Sequence, residues 1–419
     1  MNLLDFCIIS FIIQNVKFGG INMHIKNKAE FNKALQIGIA CISSYMVSYY
    51  MRNILSVTSP EMLSSGLFTK ESLGSLSSVY MLLYAIGQLF NGVIGDIIKP
   101  KLMITGGMLI CGIASISFSF VNNPLFQMVL FALIGFSLSM LRGPLVKTIS
   151  ENTQPNHSRI ICTFFSFSSF AGPLIASLIS MFVDWRKTFI IAGVISVLIG
   201  ILAYLVFTSF EKKGRITYTL SKNSNGFKNL FKVFTLKHFS FYLFVVVLTE
   251  LSSVAVNFWI PTYFTEQLSI PENIAKAIFS AMSLIKSFTP FVSLMIFALF
   301  KQKDIKLIRF AFLFGSAFIF GMYFSTTPFL NILCLLMAQI AIGIASSIVW
   351  SIYIPSQRES GMVSTINGVL DFTGYLFASI TNIIFAHVVG SLGWNSIICI
   401  WFCLSTLGVI VSALVKGNK

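Results

Sequence analysis

The stretch YAIGQLFNGVIGDIIKPK, residues 84–101, shows how this chain is organised. It is apolar and rich in glycine as far as Asp96, and Lys99 and Lys101 follow immediately. An apolar run that stops at an acidic residue and a basic cluster is typical of a membrane-spanning helix that ends at a charged loop. The stretch therefore predicts the end of one membrane helix and the start of the next.

The composition extends this prediction to the whole chain. Of the 419 residues, 56% are hydrophobic and 10% are charged, and the mean hydropathy is +0.84. Soluble domains carry about 25% charged residues. Long apolar runs favour α-helices over the short alternating strands of a membrane β-barrel. We therefore expect an all-α integral membrane protein.

The sequence offers little chemistry for catalysis or metal binding. Most of the seven cysteines lie inside apolar runs, no CxxC pair or Cys/His cluster occurs, and the four histidines are scattered. A zinc site or a disulfide framework needs such clusters. The Walker loop GxxxxGK[ST] of ATP-hydrolysing transporters is also missing from the sequence. We expect no enzyme activity, no cofactor and no metal.

Charged and Pro/Gly-rich breaks divide the chain into twelve candidate membrane helices, each long enough to cross a bilayer core of about 30 Å. They are 34–58, 72–96, 100–121, 124–150, 159–183, 187–209, 238–264, 273–300, 305–325, 328–354, 362–389 and 393–415. The longest charged gap, 210–237, separates two six-helix halves, 34–209 and 238–415. Residues 1–33 and 416–419 flank the halves.

The basic residues orient these helices. Loops on the side of the N-terminus hold 21 of the 29 Lys and Arg residues, loops on the other side hold four, and the predicted helices hold four. The positive-inside rule then places both termini in the cytoplasm, in a plasma membrane of the bacterial type. The net charge of +15 is mostly a consequence of this topology, and it also provides some attraction to anionic lipid. We expect a monomer that binds no nucleic acid.

Residues 1–22 do not fit this pattern. Their apolar part, LLDFCIISFII, is too short to span a bilayer, and they lack the basic start and small-residue cleavage site of a signal peptide. The sequence from Met23, MHIKNKAEFNKALQIG, has the character of a normal cytoplasmic start. We therefore expect translation to begin at Met23.

The stretch 84–101 resembles the signature loop between helices two and three of the major facilitator superfamily. The resemblance implies twelve helices in two halves that move about a central site, as repeat-built transporters do. It also implies that Gly92, together with other small residues, lets helices approach closely. Asp96 is implied to contact basic groups or helix ends at a cytoplasmic gate.

A narrower resemblance covers most of residues 34–415 and is carried by four segments. These are YYMRNILSVTSP (49–60), RGPLVKTISEN (142–152), FWIPTYF (258–264) and GVLDFTGYLFAS (368–379). They look like the organophosphate:phosphate antiporter branch, which carries glycerol-3-phosphate and hexose phosphates. In that branch two arginines, on helices one and seven, clamp the phosphate. Arg52 matches the first arginine. The second would fall near Ser253 and a histidine of the branch would fall near Ser168, and this chain has neither of them.

Ionisable residues inside the predicted helices mark a functional cavity, because such residues are rare there and tend to face the bundle interior. The set contains four cations and two anions, which favours an anionic substrate or ion pairs that hold different states. Its members are Arg52, Arg142, Lys147, Glu250, Lys286 and Asp371.

Three helices present polar faces that could bind a substrate. Tyr45, Tyr49 and Arg52 share one face of helix one, and a guanidinium beside phenols suits a carboxylate or phosphate. Arg52 could instead extend to the outer headgroups. Helix seven presents Glu250, Ser253 and Asn257, and helix eleven presents Asn367, Asp371 and Tyr375.

The charged residues on these and neighbouring helices have competing interpretations. Glu250 and Asp371 are candidate proton carriers, but Glu250 could pair permanently with a cation, and Asp371 could form a structural bridge with Lys286. Arg142 and Lys147 are five residues apart, so about 140° separates them on a helix, and both are not expected to line one cavity. Arg142 lies deeper, whereas Lys147 could extend towards the cytoplasm.

We expect a secondary active transporter of a small organic anion. The alternatives are a proton-coupled exporter of drugs or metabolites and a membrane sensor that kept the transporter fold. Because the second arginine of the clamp is missing, phosphate esters should bind poorly. A monoanionic carboxylate with a polar tail for Asn257, Asn367 and Tyr375 should bind better.

Overall fold

The computed structural model describes residues 28–220, 228–325 and 327–415, and within these ranges the side chains of 254–259 and 379–392, among others, are not described. The expected start at Met23 therefore lies outside the described residues. This part of the chain forms twelve long helices: α1 Lys28–Ser64, α2 Lys70–Ile97, α3 Pro100–Phe120, α4 in two parts (Pro124–Leu138 and Arg142–Asn152), α5 Pro155–Ser180, α6 Trp185–Lys212, α7 Phe239–Glu266, α8 in two parts (Glu272–Ser287 and Thr289–Leu299), α9 Asp304–Phe324, α10 Pro328–Ser360, and Val363–Leu414, which a break at Gly393 divides into α11 and α12. A short helix, Lys228–Lys232, and a 3₁₀ turn, Val233–Thr235, precede α7.

Local sequence signals explain where many helices begin. Thr69 caps α2 in a reciprocal box with Ser72, and the side chains of Asn123 and Asp184 accept backbone N–H bonds at the starts of α4 and α6. A proline occupies the first turn of α3, α4 and α10, where its missing N–H costs nothing. The prediction of a twelve-helix membrane protein is confirmed, although α1 extends by six residues beyond each predicted end.

Seven of the described helices are long and apolar enough to cross a membrane, and the two-part α8 would make eight. The other four are α1, α5, α7 and α11. All four contribute polar or aromatic side chains to the central cavity described below.

Small residues allow the helices of the N-terminal half to pack closely. Gly112 on α3 faces Gly193 on α6, and a Cβ atom on either glycine would lie 2.6 Å from the carbonyl oxygen of the other. Ser115 and Ser196 donate hydrogen bonds of 2.8 Å to backbone carbonyls across the same pair of helices. Such contacts substitute for hydrophobic driving force, which is weak between helices in lipid.

The two halves meet tightly at the end of the bundle that holds the α2–α3, α4–α5 and α10–α11 turns, here called the basic end. Asp96 lies at the centre of this contact and is fully buried. Its carboxylate accepts bonds from Lys147 of α4 (2.9 Å) and from the first backbone N–H groups of α11, at Ser364 (3.2 Å) and Thr365 (2.8 Å). Anionic groups are stabilised at such a helix N-terminus.

Lys147 corrects one expectation from the sequence. Its side chain does not extend to the cytoplasm but is fully buried against Asp96, with Glu151 4.0 Å away one turn along α4. A buried ammonium needs a close counter-ion, and Asp96 supplies it.

Glycines at the basic end let α2 and α11 touch. A Cβ atom on Gly92 would lie 2.9 Å from the Cα atom of Gly368, and one on Gly368 would overlap the carbonyl oxygen of Gln88. A second contact joins α5 and α8, where the rings of Phe164 and Phe291 are 5.2 Å apart. The structure therefore places both predicted gate residues, Gly92 and Asp96, where the halves are closed.

Candidate substrate-binding site

A cavity of about 480 Å³ lies between the two halves, above the closed basic end. This volume is in the range of small-molecule sites. Seven helices line it: α1, α4, α5, α7, α8, α10 and α11. The structure brings nine of the sequence-predicted residues to its wall: Tyr45, Tyr49, Arg52, Arg142, Glu250, Ser253, Lys286, Asp371 and Tyr375.

Two other predicted binding residues are not on the described wall. Asn367 is fully buried behind Asp371 and donates a 3.0 Å hydrogen bond to that carboxylate. It therefore does not reach a substrate, and its expected contact with a polar tail is wrong. The side chain of Asn257 lies outside the described residues.

Arg52 points into the protein rather than towards lipid headgroups. Its guanidinium carbon lies 5.7 Å from the ring centre of Tyr49, 5.2 Å from that of Tyr84 and 4.9 Å from that of Tyr375. Arg52 forms no ion pair among the described residues. Cation–π contacts stabilise a cation without neutralising it or occupying its N–H donors. The guanidinium therefore remains able to bind an anion.

Arg142 and Asp371 form an ion pair across the two halves, with 2.7 Å between Nη1 and Oδ1. The expected bridge between Asp371 and Lys286 is therefore wrong. The other oxygen of Asp371 accepts the bond from Asn367, and the Arg142 guanidinium lies 4.0 Å from the ring of Trp350. Asp371 is only 3% exposed, but the side chain of Arg142 is 19% exposed, so the pair keeps contact with the cavity through the arginine.

Lys286 faces a polar wall in the C-terminal half. Its ammonium donates a 3.1 Å hydrogen bond to the side-chain oxygen of Gln339 on α10. Helix α8 bends by 41° immediately after this residue, at the start of the segment that contains Pro290. Proline removes a backbone hydrogen bond and forces such bends. Lys286 and Pro290, on either side of the bend, both line the cavity.

Glu250 reaches the cavity from α7 through a gap in α11. Gly374 makes that gap, because a Cβ atom there would lie 3.1 Å from Cγ of Glu250. Glu250 forms no ion pair among the described residues. The described contacts therefore do not support the interpretation that Glu250 is permanently paired with a cation.

Backbone irregularities place several of these groups. Helix α4 breaks just before Arg142, where Met140 and Leu141 bond to carbonyls three residues back and Pro144 follows. Helix α10 contains a π-turn at Val349–Tyr353, which includes Trp350. Single π-turns in α-helices occur frequently at functional sites. Both members of the Arg142–Trp350 contact therefore sit at interruptions of regular helix.

Sequence reasoning missed three residues that the geometry makes prominent: Tyr84, Trp350 and Gln339. Tyr80 and Tyr84 are four residues apart on α2 with rings 6.0 Å apart, so their helical spacing was a usable signal. Gln339 is a buried polar residue inside an apolar helix and could also have been selected. Trp350 had no such signal, because its position depends on the π-turn.

The chain belongs to the Major Facilitator Superfamily, whose family model matches residues 41–380. Solved structures agree: the proton:xylose symporter XylE superposes with a TM-score of 0.71, covering 93% of this chain and 97% of XylE at 12% identity. At that identity the comparison concerns the fold alone.

Curated relatives fall in the antiporter branch that the sequence resembles. The glucose-6-phosphate exchanger SLC37A2 of Xenopus tropicalis is 28% identical over 151 residues, 34% of this chain and 30% of the relative. The membrane sensor protein UhpC of Salmonella typhimurium is 21% identical over 162 residues, 38% and 37% of the two chains. The matches thus span about a third of the length of these relatives. The resemblance to the organophosphate:phosphate antiporter branch is confirmed.

Proposed function

We propose that this membrane protein is a secondary active transporter of a small organic anion, which it carries by alternating access to the central cavity. The observation that carries the proposal is Arg52. Its guanidinium is held by tyrosines of both halves and has no carboxylate partner among the described residues. A guanidinium on a cavity wall with available donors is suited to a carboxylate or phosphate.

The charges around the cavity favour a monoanion over a phosphate dianion. Arg142 and Asp371 neutralise one another. The remaining described charges on the wall are Arg52, Lys286 and Glu250, which leave one excess positive charge. Ser253 lines the cavity where the antiporter branch has its second arginine, and Glu250 would repel a dianion. Although one relative is named a glucose-6-phosphate exchanger, we therefore propose a carboxylate substrate.

The closed basic end supports a transport cycle. The bond from α11 to Asp96 and the contact of Phe164 with Phe291 both hold the two halves together at the basic end. The loops at this end carry most Lys and Arg residues, so we place it in the cytoplasm of a bacterial-type cell, with both termini on that side. The state is then outward-facing. Asp371 is paired, so Glu250 is the better candidate for exchanging a coupling proton.

Uptake into proteoliposomes tests the proposal. We expect Arg52→Lys to lower carboxylate uptake by about tenfold or more at similar expression, because lysine keeps the charge but loses the planar fork of donors. Arg186→Lys is a matched control, since Arg186 also lies over an aromatic ring, that of Trp185 at 4.7 Å, but far from the cavity wall. Wild-type uptake by Arg52→Lys would contradict the role given to Arg52.

A second candidate, a sensor, is favoured by the likeness to a protein named a membrane sensor. The same reconstitution separates the two functions. A transporter moves bound substrate into the vesicle lumen, whereas a sensor binds its ligand at the Arg52 site without accumulating it. Saturable binding that depends on Arg52, with no uptake under any ion gradient, would replace the transporter proposal by the sensor.

A further inference from the structure

The cavity contains two opposite charges that have no ionic partner among the described residues. One is the guanidinium of Arg52, on α1 of the N-terminal half. The other is the carboxylate of Glu250, on α7 of the C-terminal half. The remaining acid on the wall, Asp371, is already held by Arg142 and Asn367. A substrate beside these two residues therefore meets a cation and an anion that are not paired with one another.

The two groups converge on the same turn of α11. The ring of Tyr375 lies 4.9 Å from the Arg52 guanidinium, and the residue before it, Gly374, faces the side chain of Glu250. The chain therefore places an anion-binding group and a cation-binding group on either side of one helical turn. A single small molecule beside Tyr375 can contact both.

A carboxylate in this position needs a counter-charge. The aliphatic neighbour Val246 shares the contact at Gly374, and the cavity cations Arg52, Arg142 and Lys286 form no ion pair with Glu250 in the described structure. Leaving a poorly hydrated charge unpaired is costly. A substrate that brings its own cation removes this cost, whereas a simple anion adds to it.

We infer that the substrate is an aminocarboxylate, a small molecule whose carboxylate binds Arg52 while its protonated amino group binds Glu250. This inference rests on the proposed function and specifies its substrate class. Both bonds are charge-assisted, and the partners come from different halves, so one bound molecule links the halves across the cavity. A cavity of about 480 Å³ accommodates a molecule of amino-acid size.

Matched ligand pairs test the inference on the full-length protein in lipid nanodiscs. L-aspartate is compared with succinate, and L-alanine with propionate, because each pair differs only by the amino group. We expect the amino member to bind at least about tenfold more tightly, since only its ammonium can make a charge-assisted hydrogen bond to Glu250. Calorimetry or a shift in thermal unfolding reports the affinities.

The variant Glu250→Gln tests whether Glu250 is the residue that prefers the amino member of each pair. In this variant the amino and des-amino members of each pair should bind within about threefold of one another, because the carboxylate that selects the ammonium is gone. Ser287→Ala is the control. Ser287 also lines the cavity, but its hydroxyl bonds the carbonyl of Leu284 in its own helix, so the preference should remain.

Three results would overturn the inference. If wild-type protein binds succinate and propionate as tightly as their amino partners, a simple anion occupies the site and the proposed function stands without the aminocarboxylate. If the preference survives in Glu250→Gln, another residue selects the amine. If neither class binds and neither is transported, the proposed carboxylate function fails together with the inference.

Discussion

Helix α4 contributes to two ion pairs whose basic residues are only five positions apart. One pair lies where the two halves are closed and the other lies on the wall of the cavity, and they differ in their exposure to water. Lys147 pairs with Asp96 at the basic end, and both side chains are fully buried. Arg142 pairs with Asp371 at the cavity wall, where the arginine side chain is 19% exposed. Each pair connects α4 to α11. In the first, Asp96 of α2 accepts bonds both from Lys147 and from the N-terminus of α11, and in the second Arg142 bonds the side chain of Asp371 on α11 directly. The same kinds of charge thus serve two environments.

The neighbours of each pair explain the difference. Around Asp96 the helices carry glycines, and a Cβ atom on Gly95 or Gly143 would overlap the hydroxyl of Ser364. Around Arg142 the neighbours are large, with Trp350 at 4.0 Å. Small residues exclude water by bringing backbones together, whereas large ones leave a cavity between helices. The dry pair, Lys147–Asp96, stabilises one closed state. The wet pair, Arg142–Asp371, can exchange partners at lower cost.

The largest expected effect comes from forcing α2 and α11 apart at the closed basic end. Gly368→Leu should abolish measurable uptake, because even a Cβ atom at this position would overlap the backbone of Gln88 and the basic end could not close. Gly106→Leu is the control, since a Cβ atom at Gly106 has no neighbour within 4 Å. Uptake in proteoliposomes is the measurement. Transport by Gly368→Leu at the wild-type rate would show that closure does not need this contact.

Removing the acid of the dry pair should be the next largest effect. We expect Asp96→Asn to lower the free energy of unfolding by about 3–5 kcal/mol, because it leaves Lys147 buried without a counter-ion. Asp184→Asn, at an exposed pair with Lys187, should cost about 1 kcal/mol or less. Thermal unfolding in detergent compares the two. Equal losses would mean that burial does not distinguish these acids.

A double-mutant cycle measures the wet pair. Arg142→Ala, Asp371→Ala and the double variant should give a coupling energy of about 1–3 kcal/mol, smaller than that of the dry pair because Arg142 retains contact with the cavity. The matching cycle uses Lys147→Ala and Asp96→Ala. The comparison between the two pairs breaks down if the Arg142–Asp371 coupling proves the larger.

The smallest expected effect is at the ring beside the wet pair. Trp350→Leu should reduce stability by about 0.5–2 kcal/mol through loss of the cation–π contact, in addition to the loss of packing. The cation–π part is isolated by repeating the change in an Arg142→Leu background, where it should vanish. An undiminished effect of Trp350→Leu in that background would assign all of it to packing.

The sequence was sufficient for the fold because membrane helices are defined by local composition. Length, hydropathy and charged breaks predict each span, and the stretch 84–101 indicates the family. The cavity charges were also accessible, since Arg52, Arg142, Glu250, Lys286 and Asp371 all interrupt apolar runs and all reach the wall.

The pairing of these charges was not accessible from the sequence. Whether Asp371 meets Arg142 or Lys286 depends on the rotation of α4, α8 and α11 about their axes, and breaks in α4 and α8 set that rotation. The burial of Lys147 depends on close contact between helices far apart in the chain. The substrate roles of the wall residues remain predictions.

The π-turn at Val349–Tyr353 makes the side-chain register of α10 depend on one extra residue. Deleting any single residue inside this turn would let regular α-helix run through it. The helix on either side of the turn would keep its direction, because a π-turn absorbs one extra residue within itself. Gln339, Gly343 and Ser346 would therefore stay on the cavity wall, and only the residues inside the turn, Trp350 among them, would change direction. A deletion of three nucleotides would thus alter the binding wall at the ring beside Arg142 and leave the rest of the wall in place.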